Sequence, residues 1–217
     1  MTDVKLIVFD WDGTLSDSAG RIVEAVHAGA ELVGFPQRTD QEVRDIIGLG
    51  LIESFRSLYP EIGEDQLEPF SVAYRDAYLD PNRVAVLFDG ARETLDELRG
   101  LGYTLAVATG KSRAGLDREL IETNLTEYFA ATRCADETAP KPDPRMLFEV
   151  LEETGFAAEQ ALMIGDTDHD IHTAKNAGVL PIAVTCGAQL LERIEAAQPA
   201  AVLRNVTELS GWLATQA

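Results

Sequence analysis

The chain lacks several features that mark particular classes of protein. It has only two cysteines among its 217 residues, Cys134 and Cys186, which excludes a fold held together by disulfide bonds. Its apolar runs reach about five residues, far short of the roughly 20 that span a bilayer. The first residues show no signal-peptide pattern, so we expect a cytoplasmic protein.

Basic residues are scarce as well. The sequence has 18 Lys and Arg against 37 Asp and Glu, which gives a formal net charge of −19 at pH 7. Such a charge repels phosphate backbones and anionic lipid, so we expect neither a nucleic-acid partner nor a membrane partner. The simplest explanation of the acidity is solubility. Nothing in the sequence marks a self-complementary surface, so we expect a monomer or a small homo-oligomer.

Short apolar runs alternate with helical segments along most of the chain. The runs lie at residues 5–9, 104–108, 161–164, 180–184 and 200–203, with a weaker one near Thr132–Ala135. Continuous apolar runs of this length are typical of strands buried on both faces of a parallel sheet. One intervening helix is expected to have Asp143 as its N-cap and Pro144 in its first position. The alternation predicts an α/β fold.

Residues 16–82 break this alternation, because no convincing strand is found among them. They contain four amphipathic segments, at residues 18–34, 40–47, 51–59 and 65–79. Ser18 is expected to cap the first. We therefore predict a core of residues 1–15 and 83–217, with a small helical cap domain inserted after the first strand. In open α/β sheets ligands bind beyond the carboxyl ends of the strands, so the insert would cover the site.

Polar and charged residues follow the predicted strands at the points where they end. They are Asp10 and Asp12, then Thr109 and Gly110, then Lys141, and finally the acidic cluster from Asp166 to Asp170. Asp10 and Asp12 are two apart in an extended chain, so their side chains point the same way. Two carboxylates this close repel each other, which calls for a metal between them or a proton on one.

The four motifs occur in the order found in the haloacid dehalogenase-like hydrolase superfamily. They read Asp10-Trp11-Asp12-Gly13-Thr14-Leu15, Thr109, Lys141 within Lys-Pro-Asp-Pro, and Gly165-Asp166-Thr167-x-x-Asp170. Over essentially its whole length, the chain resembles the phosphoglycolate phosphatase-like members, which carry a helical cap. The resemblance implies a Rossmann-like parallel core with an inserted cap. It also implies Mg²⁺-dependent hydrolysis of a small phosphate monoester, with phosphoglycolate as the leading substrate.

The resemblance also implies a role for each motif residue. Asp10 would be the nucleophile that forms an aspartyl phosphate, and Asp12 the general acid and then the general base. The ligands of Mg²⁺ would be the carboxylates of Asp10 and Asp166 and the backbone carbonyl of Asp12, with Asp170 supporting the metal shell. The phosphoryl group would be bound by Thr109, Lys141 and the backbone N–H groups near Trp11 and Gly110.

Other residues are weaker candidates. In the cap, Arg44 and the segment Gly48, Leu49 and Gly50 are tentative substrate contacts, because such caps place a specificity loop between two helices. His169 is a poor candidate for acid–base chemistry, since the resemblance gives that role to Asp12. Thr167 or Asp168 is expected to cap a helix, and both cysteines are expected to be buried free thiols.

Three other functions use similar residues. A β-phosphoglucomutase-like enzyme would employ the same Asp10 and Asp12 and return the phosphate to a sugar. A haloacid dehalogenase would need neither the metal nor the second acid, so Asp12 and the complete acidic cluster argue against it. A receiver-type signalling module also has a phosphorylated aspartate, but such modules are about half this length and have no cap.

Overall fold

A computed structural model of the chain describes residues 4–80, 82 and 84–216. Within these residues six strands form one parallel sheet: β1 Leu6–Phe9, β2 Thr104–Thr109, β3 Ala131–Cys134, β4 Ala161–Gly165, β5 Leu180–Val184 and β6 Ala201–Leu203. Their order across the sheet is β3-β2-β1-β4-β5-β6. Each strand begins and ends within one residue of its predicted position, and the predicted α/β fold with a Rossmann-like sheet is confirmed.

The central strands are buried on both faces, which explains their uninterrupted apolar sequence. Ile7 and Phe9 of β1 point to one face and pack with helices α5, α6 and α10. Leu6 and Val8 point to the other face and pack with helices α7 and α8. These helices and α9 span Ala91–Gly100 (α5), Arg113–Glu122 (α6), Arg145–Thr154 (α7), Asp168–Asn176 (α8), Leu191–Ala196 (α9) and Leu209–Gln216 (α10).

Four helices lie between β1 and α5 in the chain. They are α1 Ala19–Val33, α2 Asp40–Arg44, α3 Leu51–Leu58 and α4 Glu64–Tyr78. They share a hydrophobic cluster of their own, to which the rest of the chain adds Ala188. At its centre the Phe70 ring lies 4.2 Å from the ring of Phe55 and 5.7 Å from that of Tyr59, measured between centroids. No helix in the described part of the chain is long and apolar enough to cross a membrane.

Three local predictions differ from the structure. Helix α2 ends at Arg44 instead of residue 47, and turns follow it. Helix α7 begins at Arg145 with Pro144 as its N-cap, one residue later than predicted. The Asp143 side chain still accepts the N–H of Arg145, at 2.9 Å, in the turn that leads into the helix. Ser18 does precede α1, but its hydroxyl makes no cap hydrogen bond.

The Ser18 hydroxyl donates instead to Oδ1 of Asp12, at 2.7 Å. A hydrogen bond to a carboxylate is stronger than one between neutral groups, so this contact prevails over capping. The other end of α1 is as predicted, because the helix stops at Gly34 with a φ of +76°.

Helices α1 and α4 approach each other closely at Gly29. A Cβ at this position would lie 2.5 Å from Cε1 of the buried Phe70 ring. Gly29→Ala is therefore expected to lower the free energy of unfolding by about 1–3 kcal/mol, because overpacking outweighs the roughly 1 kcal/mol that alanine gains over glycine in a helix. Urea denaturation measures the change.

Gly20→Ala is the matched control in the same helix, since nothing lies within 4 Å of a Cβ there. It should leave the stability unchanged or slightly raised. Equal losses in the two variants would contradict close packing at Gly29.

Candidate active site

Three carboxylates meet at the carboxyl ends of β1 and β4. Asp10 follows β1, Asp166 follows β4, and Asp170 lies in the first turn of α8. Phe9 is in register with Ile164, so the two strands end side by side. One carboxylate oxygen from each of the three aspartates lies within 4.8 Å of the others, and all three residues are buried. The sheet topology thus creates the acidic cluster that the sequence predicts.

Lys141 is the cation inside this cluster. Its Nζ donates to Oδ1 of Asp10 at 2.7 Å and to Oδ1 of Asp170 at 2.6 Å. Burial alone would lower the pKa of Lys141, but the two carboxylates raise it above its ordinary value. The side chain therefore stays an ammonium and neutralises part of the acidic charge.

Neighbouring donors fix the remaining carboxylate oxygens. The Thr14 hydroxyl donates to Oδ1 of Asp166 at 3.1 Å, and the N–H of Ala188 donates to its Oδ2 at 2.7 Å. The N–H and the hydroxyl of Thr167 donate to Oδ2 of Asp170, at 3.0 and 2.7 Å. These bonds hold both side chains in place from outside the cluster.

One carboxylate oxygen of Asp10 has no hydrogen-bond partner among the described residues. This atom, Oδ2, is buried. Burial raises the pKa of Asp10 to about 7, because its effect outweighs the opposing effect of Lys141. Asp170 raises this pKa further, by less than Lys141 lowers it. Burial, Asp10 and Asp170 likewise raise the pKa of Asp166 well above its ordinary value. The cluster is therefore short of positive charge, and its oxygen donors fit a hard divalent cation such as Mg²⁺.

Asp12 lies outside the carboxylate cluster. The Ser18 hydroxyl donates to its Oδ1 at 2.7 Å, and Nζ of Lys111 lies 2.9 Å from the same oxygen. Within the described residues no hydrogen bond is made by its Oδ2. Asp10 and Asp12 are thus two residues apart but have different surroundings, as two carboxylates with different chemical roles require.

The side chains that surround Lys111 form a cluster that no pattern in the sequence predicts. Nζ of Lys111 donates to the hydroxyl of Tyr78 at 2.9 Å and lies 3.3 Å from Oε1 of Glu119. The Tyr78 hydroxyl donates to Oε1 of Glu119 at 2.7 Å, and Nε1 of Trp11 donates to its Oε2 at 2.6 Å. We call Lys111, Glu119, Tyr78 and Trp11 the Lys111 cluster.

Lys111 and Glu119 each stabilise the charged form of the other. Burial opposes the charge of Lys111, but Asp12 and Glu119 raise its pKa well above the ordinary value. Burial opposes the charge of Glu119 too, yet Lys111, Tyr78 and Trp11 lower its pKa. Both side chains are therefore charged at neutral pH. The one signal in the sequence was the position of Lys111, directly after Thr109 and Gly110.

A cavity of about 620 Å³ lies above these residues. From the core, Asp10, Asp12, Thr109 and Gly110 line it, and from the insert the predicted Gly48, Leu49 and Gly50 do so. The cationic side chains in its wall are those of Arg75, Lys111 and Arg118. The predicted Arg44 lies outside this lining, because α2 ends there and the chain turns before it reaches the cavity.

The Trp11 side chain points away from the cavity, as alternation along the chain requires. It is fully buried and packs edge-on against Phe129, with 6.3 Å between ring centroids. Only its backbone N–H therefore remains as the predicted contact to a phosphoryl group.

Comparison with known proteins agrees with this geometry. Residues 7–184 match the family model of the haloacid dehalogenase-like hydrolases. The chain belongs to this family. The phosphoglycolate phosphatase of Vibrio parahaemolyticus is 32% identical to this chain over an alignment 224 residues long. The alignment covers 99% of this chain and 98% of that protein. The protein of Dickeya dadantii named "Probable phosphatase IndB" is 34% identical over 212 residues, covering 95% and 92%.

A solved structure shows the same fold. The haloacid dehalogenase-like hydrolase from Streptococcus pneumoniae is 26% identical, covers 98% of this chain and 100% of its own, and gives a TM-score of 0.85. The resemblance to the phosphoglycolate phosphatase-like members of the superfamily is thereby confirmed.

The other weaker candidates of this haloacid dehalogenase-like hydrolase lie outside the cavity lining: His169, Thr167, Asp168 and the two cysteines. His169 sits between the Asp168 carboxylate, 3.6 Å away, and the backbone carbonyl of Asp45, 3.4 Å away, and burial lowers its pKa. Thr167 caps α8, as predicted. Cys134 is a buried free thiol as expected, whereas the free Cys186 is only partly buried. Burial raises the pKa of both thiols to about 12, so neither is an activated nucleophile.

The core of this hydrolase meets the inserted helices at Gly110. A Cβ on Gly110 would lie 2.5 Å from the carbonyl oxygens of both Gly48 and Leu49. Gly110→Ala is therefore expected to push this segment off the site and to lower kcat/KM for phosphate esters by about tenfold or more. Steady-state kinetics measure this loss.

Gly100→Ala is the control, because nothing lies within 4 Å of a Cβ at the end of α5. It should leave kcat/KM unchanged. Unchanged kinetics in Gly110→Ala as well would show that the close approach has no role in the reaction.

Proposed function

We propose that this protein is a Mg²⁺-dependent phosphatase that hydrolyses a small phosphate monoester through an aspartyl phosphate on Asp10. One observation carries the proposal. Asp10 lies at the base of a cavity with one carboxylate oxygen bound to Lys141 and the other without a partner, next to two further buried carboxylates. Relatives named as phosphatases over nearly the full length of the chain support it.

The residues present fit the metal. The carboxylates of Asp10 and Asp166 and the backbone carbonyl of Asp12 would hold Mg²⁺, with Asp170 supporting the site from its bonds to Lys141 and Thr167. When bound, Mg²⁺ supplies positive charge that offsets the charges of the nucleophile and the phosphoryl group.

In the first step, a carboxylate oxygen of Asp10 attacks phosphorus, and the bond from phosphorus to the leaving alcohol breaks. Asp12 donates its proton to the departing oxygen. Lys141 offsets charge on Asp10 from 2.7 Å away, so that two anions can approach each other. The Thr109 hydroxyl and the N–H groups of Trp11 and Gly110 would donate to the phosphoryl oxygens.

In the second step, Asp12 takes a proton from a water molecule, whose oxygen attacks phosphorus. The bond between phosphorus and the Asp10 oxygen then breaks, inorganic phosphate leaves, and both carboxyl groups return to their starting states. Asp12 is thus acid in one step and base in the next, which requires that its carboxylate keep its place throughout.

Residues 16–82 are, in this proposal, a cap domain that covers the reaction. Their separate hydrophobic cluster and the contact of Gly48 and Leu49 with the cavity support this division. Gly48, Leu49 and Gly50 are proposed as substrate contacts. Because Arg44 lies outside the cavity lining, we assign it none.

Phosphoglycolate is the first substrate to test. The relative from Vibrio parahaemolyticus is named a phosphoglycolate phosphatase. A relative from Agrobacterium fabrum with the same name is 34% identical over 84% of this chain. A covered cavity beneath an acidic surface favours a small soluble ester over nucleic acid or lipid. The cytoplasm is the proposed compartment, and the two free thiols agree with a reducing environment.

The activity itself is tested by phosphate release from a panel that includes phosphoglycolate, sugar phosphates, nucleotides and β-glucose 1-phosphate. We expect turnover with Mg²⁺, loss of turnover in EDTA, and recovery when Mg²⁺ is restored. A turnover rate that changes neither with EDTA nor with added Mg²⁺ would contradict the metal site. Conversion of β-glucose 1-phosphate to an isomer without phosphate release would instead identify a mutase.

Asp10→Asn tests the nucleophile. The substitution keeps the shape of the side chain but removes its charge, so we expect a loss of kcat of roughly a thousandfold or more with the fold retained. Asp117→Asn is the matched control, because the exposed carboxylate of Asp117 forms its one ion pair among the described residues with Arg113. Near-normal turnover in Asp10→Asn would overturn the assignment.

A further inference from the structure

The Lys111 cluster lies next to the proposed chemistry but has no part in it so far. The side chains of Lys111 and Glu119 are 7% and 3% exposed, and every polar contact described above joins them to each other, to Asp12, to Tyr78 or to Trp11. Charged side chains so deeply buried need a partner for each charge. The side chains of the cluster therefore have one defined arrangement, and the ion pair of Lys111 with Asp12 connects them to the proposed acid and base.

That contact is closest at one atom of Asp12. The Lys111 ammonium lies 2.9 Å from Oδ1, and the Ser18 hydroxyl donates to the same oxygen at 2.7 Å. An oxygen that already accepts a hydrogen bond and faces an ammonium at this distance is a poor place for a proton. Oδ2, to which no described residue donates a hydrogen bond, is the oxygen of Asp12 that remains for proton transfer.

We propose that Lys111 is a positioning residue that holds the Asp12 carboxylate by Oδ1 and leaves Oδ2 to carry the transferred proton. This rests on the acid and base roles proposed for Asp12. Lys111 itself touches neither the reacting phosphorus nor the transferred proton. It acts by keeping one carboxylate in the same orientation in both steps.

Glu119 and Tyr78 keep Lys111 in this place. Oε1 of Glu119 lies 3.3 Å from the ammonium, and Oε2 of Glu119 accepts a hydrogen bond from the indole N–H of Trp11 at 2.6 Å. Since Trp11 lies between Asp10 and Asp12 in the chain, the cluster is anchored to the same strand end that it positions.

Tyr78 brings the inserted helices into this arrangement. It is the last residue of α4, and its hydroxyl accepts from Lys111 and donates to Glu119. Its own position is fixed by the guanidinium of Arg21, 4.3 Å from the ring centroid, and by the parallel ring of Tyr74. One hydroxyl from the cap thus completes the cluster, so the seating of the cap and the orientation of Asp12 are linked.

The test uses esters that differ in their need for a proton. The departing p-nitrophenolate needs little protonation, whereas an alkoxide needs a general acid. We compare kcat/KM for p-nitrophenyl phosphate, phosphoglycolate and 2-hydroxyethyl phosphate in the wild type and in Lys111→Met. This parameter covers the steps up to formation of the phosphoenzyme, where Asp12 acts as the acid.

Lys111→Met is expected to lower kcat/KM about a hundredfold for both alkyl esters and less than tenfold for p-nitrophenyl phosphate. Tyr78→Phe, which removes one hydroxyl and keeps the ring, should give the same pattern with a loss of about tenfold. Lys175→Met is the matched control, because that ammonium donates to the carbonyl of Ala197 in another part of the core. Its kinetics should equal those of the wild type.

Each other pattern overturns the proposal. An equal loss on all three esters indicates a general structural role, and a loss confined to phosphoglycolate indicates that Lys111 binds the substrate carboxylate. If Lys111→Met does not fold, Tyr78→Phe decides by the same comparison. A wild type that hydrolyses none of the esters overturns the phosphatase and this role together, whereas an active wild type with unchanged variants overturns only the role of Lys111.

Discussion

Three buried carboxylates lie close together with a single buried ammonium between two of them, and the arrangement of the rest of the site follows from this. The neighbouring ends of β1 and β4 bring Asp10 and Asp166 together, and the first turn of α8 adds Asp170. Burying such charges is costly unless they are paired and hydrogen-bonded. Lys141 pairs with two of the three, and the donors around Asp166 and Asp170 fix them from outside. The remaining deficit of positive charge is what makes this place suitable for a divalent cation and a phosphoryl group.

The same strand end supplies two carboxylates with different tasks. Asp10 lies within the acidic cluster, where its Oδ2 has no partner among the described residues. Asp12 lies two residues further on and is held by a hydroxyl and a second lysine. Separate surroundings allow one carboxylate to attack while the other moves protons. Each aspartate therefore has its own lysine, Lys141 beside the proposed nucleophile Asp10 and Lys111 beside the proposed acid and base Asp12.

Much of the fold, and the residues at the strand ends, could be predicted because the signals are local in the sequence. A strand buried on both faces is a continuous apolar run, and the polar residues directly after it must lie at one edge of a parallel sheet. This reasoning predicts that these residues meet at one edge of the sheet, and the structure has Asp10 close to Asp166 and lining a cavity together with Thr109. The strand bounds followed from the same pattern within one residue.

The parts that could not be predicted depend on contacts between distant segments. Glu119 lies 41 residues from Tyr78 and 108 from Trp11, and its own sequence neighbourhood is that of an ordinary amphipathic helix. Ser18 resembles a helix cap in sequence, but the nearby Asp12 carboxylate takes its hydroxyl. The place of Arg44 in the insert makes it a candidate substrate contact. In the structure Arg44 is the last residue of α2 and does not line the cavity. Tertiary contacts decided each of these cases.

The central claim is that the phosphoryl group is covalently attached to Asp10 during turnover, and trapping tests it most directly. The enzyme would be quenched while it turns over substrate, reduced with borohydride, digested, and mapped by mass spectrometry. We expect the reduction product of an acyl phosphate at Asp10, present only when substrate and Mg²⁺ were both supplied. Steady hydrolysis with an unmodified Asp10 peptide, or with the product at another residue, would contradict the account.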